Sequence, residues 1–367
     1  MGVETFLVSP LLPTIAADLH ASIGATAAVV TAYVLTYAVI GPLVGSVSDR
    51  APRRVFITAG LSVFLLGNVL CGLAQGLGWL IAARALTGLG GAIAAPAMWA
   101  YFAEMARPEQ RGRAVGLGAA SYSLGQVLGV PVGALIARIA DWRWDFLGVA
   151  AGLAIVVPLI SWRLHNLRPT GHASLFASFR MWRLGQIRLA LLSTGLLQGG
   201  RLGSYTYVGV LFSQRFGLSV EQLGLVGMLV GTASLAGSLL AGPLVDRFHQ
   251  VGRRDAWLSV IWALLFSSAV VVAILSTDLT SSLAALFVWF VAGGAFYTTQ
   301  QTYFSSAEPK QRASTVSWNN AMENAGVALG TSLLGLLAVG SPSFAVVAAG
   351  LGLSACALSV IRAVRSG

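Results

Sequence analysis

The sequence predicts an all-α integral membrane protein whose twelve transmembrane helices form two pseudo-symmetric six-helix bundles. Of its 367 residues, 56% are hydrophobic and only 10% are charged, whereas soluble domains carry about 25% charged residues. The mean hydropathy of +0.78 implies more apolar surface than a soluble fold of this length can bury. Twelve apolar stretches and a repeat between the two halves of the chain complete the prediction.

The apolar stretches, named spans 1 to 12, approach the ~20 residues that a helix needs to cross the hydrocarbon of a bilayer. Their approximate bounds are 3–19, 25–47, 55–75, 78–101, 112–138, 144–163, 187–212, 219–245, 256–276, 279–303, 312–338 and 342–362. Span 1 is short, and Glu4 would place a charge near its start, which is costly in hydrocarbon. We therefore expect the natural chain to begin ~10–20 residues upstream and to supply the missing turns.

Basic residues concentrate on one predicted side of the membrane. Of the 23 Lys and Arg residues, three lie on the opposite side and two lie inside spans. The other 18 lie in loops 2–3, 4–5, 6–7, 8–9 and 10–11 and at the C-terminus, which together form the basic side. Because cytoplasmic loops are enriched in Lys and Arg, the basic side is predicted to be cytoplasmic, with both termini on it. This enrichment also explains the net charge of +10, so no nucleic-acid partner is expected.

The two halves of the chain repeat. Pro-Glu-Gln-Arg opens span 5 at 108–111, and Pro-Lys-Gln-Arg opens span 11 at 309–312, an offset of 201. Gly45…Asp49-Arg50 after span 2 corresponds to Gly242…Asp246-Arg247 after span 8, an offset of 197. The polar stretch 164–186 is therefore predicted to be a linker between an N-terminal bundle, 1–163, and a C-terminal bundle, 187–367.

Loop 2–3 carries the most specific motif, which reads Gly-Ser-Val-Ser-Asp-Arg-Ala-Pro-Arg-Arg over 45–54. It resembles the signature of the major facilitator superfamily: Gly, three residues, Asp-Arg, then Gly and two basic residues. Pro52 stands where the family usually has Gly. The resemblance implies a gate on the cytoplasmic face, formed in two copies by Gly45, Asp49, Arg50, Arg53 and Arg54 and by Gly242, Asp246 and Arg247.

Span 5 contains a second motif. Gly125, Gly129 and Gly133 are spaced by four residues and form a smooth face for a neighbouring helix, and Pro131 removes a backbone hydrogen bond. The pattern resembles the antiporter motif of drug-efflux major facilitators, from which Val130 and Ala134 depart. Ordinary close packing of helices is the alternative interpretation.

Three charged residues at predicted membrane depth are candidates for proton coupling: Glu4, Arg84 and Glu323. Charges inside a span are costly and mark functional sites by default. The resemblance adds that an acid in helix 1 of related efflux proteins carries the proton, as Glu4 would, and that the Arg of the helix 4 motif, matched by Arg84, contributes to coupling and substrate binding. The alternatives are an Arg84 that extends to the outer surface and an ion pair between Glu323 and Arg201.

Polar side chains at helical spacing predict a substrate cavity. Gln198, Arg201 and Tyr205 share one face of span 7, and lipid exposure of that face would leave polar groups without hydrogen-bond partners. Spans 10 and 11 contribute the other candidates, Tyr297, Gln300, Asn320 and Asn324. The alternative for each residue is a contact between helices without a role in binding.

The resemblance covers essentially the whole chain and is greatest to the twelve-helix drug:proton antiporter branch, the arabinose and drug efflux permeases. It implies a monomeric secondary transporter in a bacterial inner membrane, not an enzyme. This transporter would export a small organic molecule in exchange for protons by rocker-switch alternating access. The expected partners are a small-molecule substrate, protons and the lipid bilayer, without a cofactor or bound metal. The alternatives are a proton symporter or facilitator that imports a sugar or other nutrient, and a receptor that does not transport.

Overall fold

The computed structural model describes residue 11 and residues 14–26, 28–165 and 177–365. Within these ranges the chain forms helices, turns and short connections, and no strand occurs. The predicted all-α class is therefore confirmed.

The helices follow the predicted spans closely. Residues 14–18 continue span 1, and a single helical turn, Ile23–Thr26, precedes span 2. Spans 2 to 6 are the helices Ala28–Ser48, Arg53–Gly72, Leu77–Met105, Arg111–Ile139 and Arg143–Arg163. Span 7 comprises Gly185–Tyr205 and Val208–Phe216, and spans 8 to 12 are Val220–Gln250, Asp255–Leu275, Leu279–Ala307, Arg312–Leu334 and Pro342–Arg365.

The helices differ in how apolar they are. Spans 2, 3, 4, 6, 8, 9, 10 and 12 are long and apolar enough to cross a membrane by composition alone. Spans 5, 7 and 11, by contrast, are rich in Gly and polar residues. Since polar groups facing lipid would lack hydrogen-bond partners, these three helices must turn their polar faces towards protein.

Local sequence explains where several helices begin and end. Span 8 opens with a capping box, in which the Ser219 hydroxyl accepts from the Gln222 N–H and the Gln222 side chain accepts from the Ser219 N–H. Gly217 closes span 7 with a φ of +66°, a conformation that only Gly adopts at no steric cost. Span 7 is interrupted at Thr206, after which the Tyr207 hydroxyl donates to the Thr331 carbonyl at 2.8 Å.

The described helices group into two compact units. The first unit contains residues up to Tyr101, Leu128–Ser178 and Glu308–Ala321. The second contains Phe102–Val127, Phe179–Ala307 and Met322–Gly367. Each unit thus combines most of one half of the sequence with the beginning of span 5 or span 11 from the other half. The division of the chain at 164–186 stays a prediction from sequence.

Two Arg residues on the side opposite the basic side hold loops together. In the second unit, the Arg215 guanidinium donates to the carbonyl oxygens of Ile274, Ser276 and Gly340, which end span 9 and precede span 12. In the first unit, Arg143 donates to the Ala74 carbonyl at 2.8 Å and pairs with Asp18 and Asp141 at 2.9 and 3.0 Å. Each guanidinium therefore satisfies at least one carbonyl that a helix end leaves without an intrahelical partner.

Spans 7 and 11 approach each other through glycines spaced by four residues. A Cβ added to Gly199 would lie 2.7 Å from the Gly326 carbonyl oxygen, and one added to Gly203 would lie 2.8 Å from the Gly330 carbonyl carbon. A Cβ on Gly326 would overlap the Gly195 carbonyl oxygen. The two backbones are in direct contact, as small residues allow in membrane helix pairs.

Gly326→Ala is expected to destabilise the protein by about 1–3 kcal/mol, because the new methyl group forces two backbones apart. The measurement is the apparent melting temperature in detergent micelles. Gly224→Ala is the matched control, since a Cβ there has no atom within 4 Å and both glycines are helical. Equal melting temperatures for the two variants would contradict the proposed packing.

Candidate functional site

Asp49, directly after span 2, caps the first turn of span 11. Its buried carboxylate accepts hydrogen bonds from the N–H groups of Ala313 and Ser314 at 3.0 and 2.9 Å and from the Ser314 hydroxyl at 2.7 Å. Helices leave their first N–H groups without intrahelical partners, and a negative charge there is favourable. We call this arrangement the Asp49 cap.

Arg53 completes the Asp49 cap. Its Nη2 lies 3.0 Å from Asp49 Oδ1, and its Nη1 donates to the Ser48 carbonyl at 2.8 Å. Asp49 and Arg53 are 0% and 1% exposed. The pKa of the Asp49 carboxyl lies above its ordinary value, because the effect of burial exceeds the opposing effects of Arg53 and of the donors of Ser314 and Ala313.

The structure changes the predicted roles of the basic residues in loop 2–3. The resemblance implied a gate that Asp49 forms with all three basic residues. In the structure the guanidinium at Asp49 belongs to Arg53, and Arg50 is exposed. The reason is geometric: span 2 ends at Ser48, so the chain turns and returns residue 53 to the carboxylate. Arg54 is also exposed.

Asp246 forms the equivalent arrangement, the Asp246 cap, in the second unit. Its two carboxylate oxygens accept from the N–H groups of Gly112 and Arg113 at 2.7 and 2.8 Å, in the first turn of span 5. Span 8 continues past Asp246 to Gln250, and Arg247 is exposed. In the second copy of the motif, Asp246 therefore caps span 5 by accepting from backbone N–H groups of its first turn.

The two caps connect the two sequence repeats. Residues 313 and 314, which Asp49 binds, are offset by 201 from residues 112 and 113, which Asp246 binds. That is the offset of the Pro-x-Gln-Arg openings, and Asp49 and Asp246 differ by the other offset, 197. Two patterns that the sequence shows separately therefore meet in one contact, made twice.

The motif glycines allow the close approach that each cap requires. A Cβ on Gly45 would lie 2.9 Å from the Ala313 carbonyl oxygen and would overlap Ser317. A Cβ on Gly242 would lie 2.7 Å from the Gly112 carbonyl oxygen. Side chains at these positions would separate span 2 from span 11 and span 8 from span 5.

A chain of polar side chains crosses spans 11, 7 and 8 in the second unit. The Gln198 amide donates to Glu323 at 2.7 Å, and its oxygen accepts from Arg201 at 3.3 Å. Arg201 in turn donates to the Ser234 hydroxyl at 3.0 Å. Gln198 therefore lies between Glu323 and Arg201, whereas the alternative considered from the sequence was a direct ion pair between these two residues. We call these four residues the second-unit cluster.

Aromatic rings lie beside the second-unit cluster. The Arg201 guanidinium lies 4.9 Å from the centre of the Phe290 ring, and Tyr205 packs edge-to-face on the same ring at 5.0 Å. Gly293 makes room for Arg201, since a Cβ there would overlap the guanidinium. Arg201 is thus held by two hydrogen bonds and a cation–π contact, in space that Gly293 leaves open.

Tyr297 and Gln300 of span 10 have different surroundings. Tyr297 is half-buried and stacks on Tyr122 of span 5, with ring centres 6.4 Å apart. Gln300 is buried, and its amide donates to Ala190 and Thr194 of span 7, each at 3.2 Å.

The other end of the Gln300 amide binds a buried ion pair. Its oxygen accepts from Arg362 at 3.2 Å, and Arg362 pairs with Asp255 at 2.9 Å. Gln300 therefore joins spans 7, 10 and 12, and its role in a substrate cavity stays a prediction.

Arg84 lies inside the first unit. It is buried, donates from Nε to the Val29 carbonyl at 3.4 Å, and lies 4.6 Å from the centre of the Tyr33 ring. Tyr37, one turn along span 2, contacts Tyr33 and accepts from the Asn320 amide at 3.0 Å. These contacts do not fit an Arg that extends to the outer surface. Arg84, Tyr33, Tyr37 and Asn320 form the first-unit cluster.

For the remaining predicted site residues, the structure gives at most the burial and the helix in which they lie. Glu4 lies outside the described residues. Asn324 is half-buried, one residue beyond Glu323. Gly125 is half-buried, and Gly129 and Gly133 are buried in a helix that continues through position 131, so Pro131 does not end span 5.

Several site residues were missing from the sequence-based prediction. Tyr37 and Tyr122 look like ordinary aromatic residues in apolar helices, and Ser234 and Gly293 resemble their many small neighbours. The spacing of four between Tyr33 and Tyr37 was the one local signal available. Among the described residues, no group of His, Cys, Asp and Glu could hold a metal ion.

Comparison with known proteins gives a consistent family. A family model described as Major Facilitator Superfamily matches residues 1–306 and, in a second match, residues 190–366. The uncharacterized MFS-type transporter YceJ of Bacillus subtilis is 27% identical over 341 residues, which cover 92% of this chain and 86% of that protein. Multidrug resistance protein 1 of Bacillus subtilis is 26% identical over 349 residues, which cover 90% and 85%.

Solved structures agree in fold. The proton:xylose symporter XylE superposes with a TM-score of 0.79 at 16% identity, covering 97% of this chain and 91% of that one. The human organic anion transporter MFSD10 superposes with a TM-score of 0.73 at 17% identity, covering 98% and 92%. At these identities the likeness establishes the fold alone.

Arg53→Gln is expected to destabilise the protein by roughly 3 kcal/mol, because it removes one partner of a buried ion pair. Arg50→Gln, the matched control, removes an exposed charge and should change stability by about 0.5 kcal/mol or less. The apparent melting temperature in detergent micelles measures both effects. A larger loss for Arg50→Gln than for Arg53→Gln would show that the cap uses the other guanidinium.

Proposed function

The chain belongs to the Major Facilitator Superfamily, and we propose that it exports a small organic molecule in exchange for protons by rocker-switch alternating access. Membership makes it a multi-pass membrane transporter and not an enzyme. Export, proton coupling, the location of the basic side in the cytoplasm of a bacterial cell and a monomeric state belong to the proposal.

The observation that carries the proposal is the second-unit cluster. A carboxylate, an amide, a guanidinium and a hydroxyl are linked within one helical bundle, where isolated charges are costly. Glu323 can exist charged, balanced through Gln198 by Arg201, or neutral, with its proton retained. A group with two such states can exchange a proton during a transport cycle.

The two caps support alternating access. Each holds the first turn of span 5 or span 11 through backbone N–H groups and a carboxylate. Breaking such a cap costs about 1 kcal/mol where water can replace it. Opening the basic side therefore requires changes at two equivalent places, and both changes are small enough to be reversible.

Similarity to multidrug resistance proteins supports export. Besides multidrug resistance protein 1, a putative multidrug resistance protein of Cronobacter sakazakii is 30% identical over 274 residues, which cover 68% of this chain and 57% of that protein. We extend the same direction of transport to this chain. The proposed substrate contacts in the second unit are Arg201, Tyr205, Tyr297 and Asn324.

Glu4 is the other proposed proton carrier. Its place near the start of span 1 matches the acid of related efflux proteins, as the sequence analysis found. Each carboxyl can therefore be tested by its own Gln substitution.

Glu323→Gln is expected to abolish proton-coupled export, because the amide cannot release a proton. The test uses inverted membrane vesicles with an imposed gradient, acidic inside, and an acridine dye that reports the pH difference. Three candidate probes are chloramphenicol, norfloxacin and ethidium. The probe used is the one whose accumulation in an efflux-deficient bacterial host falls most when the host expresses the wild-type protein. Addition of this probe should dissipate the gradient in wild-type vesicles and leave it intact in the variant.

Glu308→Gln is the control, since it removes an acid from the loop before span 11. It should dissipate the gradient as the wild type does. If Glu323→Gln and Glu4→Gln both keep the response, the assignment of the proton carrier is wrong. A wild-type protein that raises accumulation of a probe would instead favour import.

A further inference from the structure

A groove opens on the basic side between the start of span 9 and the end of span 12. It has a volume of about 510 Å³, and its lining residues include Phe248, Arg253, Arg254, Trp257, Ile261 and Ala363. Arg254 donates from Nη1 to the Ala363 carbonyl, so its guanidinium bridges the two helices that form the groove. The groove is therefore built by contacts within the second unit.

One end of the groove is positively charged. Arg253 is exposed and Arg254 is half-buried, and they are adjacent in loop 8–9. The nearby acid, Asp255, is paired with Arg362 at 2.9 Å. The charge of Asp255 is thus compensated, and the exposed Arg253 places positive charge at the groove mouth.

The other end of the groove is apolar and points away from the protein. Trp257 and Ile261 are 42% and 48% exposed and stand one turn apart on span 9. Trp is enriched where a membrane helix passes the headgroup region. Ile261 lies one turn further along span 9, where a lipid bound by its headgroup at Trp257 would place an acyl chain. Positive charge, aromatic ring and aliphatic side chain therefore follow one another in the order of a phospholipid's own parts.

We propose that this groove binds one anionic phospholipid of the adjacent leaflet, with its phosphate at Arg253 and Arg254 and an acyl chain along Trp257 and Ile261. Arg guanidinium groups bind phosphate through paired N–H donors, and basic pockets at membrane helix ends hold anionic headgroups. The site is independent of the transported molecule and of the proton carrier.

The first unit contains a similar groove whose lining includes one Arg instead of two. It has a volume of about 500 Å³ and lies between the start of span 3 and the end of span 6, lined by Arg54, Val55, Thr58, Ala59 and Ser161. The hydroxyls of Thr58 and Ser161 are 3.1 Å apart across it. With one Arg in place of two and no Trp, it is expected to bind the same lipid more weakly.

The test is native mass spectrometry of the full chain in nonionic detergent, titrated separately with phosphatidylglycerol and phosphatidylcholine. The wild type should retain one phosphatidylglycerol more tightly than phosphatidylcholine. Arg253→Gln should weaken that retention about fivefold, the effect of one Arg near a membrane surface. Arg188→Gln, which removes an exposed Arg at the start of span 7 outside the groove, should leave retention unchanged.

Other results would overturn the proposal. Equal retention of the two lipids would show that charge is not recognised, and unchanged retention in Arg253→Gln would place the lipid elsewhere. Displacement of the lipid by millimolar inorganic phosphate would identify an anion site rather than a lipid site.

The control for folding is the melting temperature. Matching melting temperatures of Arg253→Gln and wild type would exclude misfolding as the cause of any loss of lipid retention.

Discussion

The arrangement of spans 5 and 11 depends on one interaction, a carboxylate placed on the first turn of a helix from the other half of the sequence. Asp49 and Asp246 each accept from two N–H groups that a helix start leaves without intrahelical partners. The energy of such a contact is small beside that of a hydrophobic core, and it falls when water reaches the same groups. A protein that must release these helices repeatedly gains from a contact that water can replace. A purely apolar interface would not offer that exchange.

The two units stabilise their buried charged side chains through different contacts. In the first unit, Arg84 lies against a Tyr ring and a backbone carbonyl. In the second, Arg201 and Glu323 are joined through an amide. The second arrangement contains a group that can change its charge within a fixed set of partners. Glu323 is therefore the proposed site of proton exchange in the second unit.

The sequence predicted what local pattern determines. Hydropathy located the spans to within a few residues, and the repeats revealed both the Asp residues and the helix starts that they cap. Sequence alone did not reveal that Asp49 contacts residue 313, because nothing local records a contact across 264 positions. It did not show which of Arg50, Arg53 and Arg54 pairs with Asp49, because the pairing depends on where span 2 ends. It placed Gln300 in a cavity because an amide that joins helices and one that faces a cavity have the same spacing.

The two copies of the gate motif differ by a short insertion that changes what their Arg residues do. After Asp49 the helix ends, and the Arg four residues later returns to the carboxylate. After Asp246 the helix continues for another turn, position 250 is Gln, and the basic pair appears only at Arg253 and Arg254. These residues are then too far along the chain to complete the cap, and they line the groove beside span 9 instead. In the first copy, one Arg of the basic pair, Arg53, thus completes the cap and Arg54 lines a groove, whereas in the second copy both Arg residues of the pair line a groove.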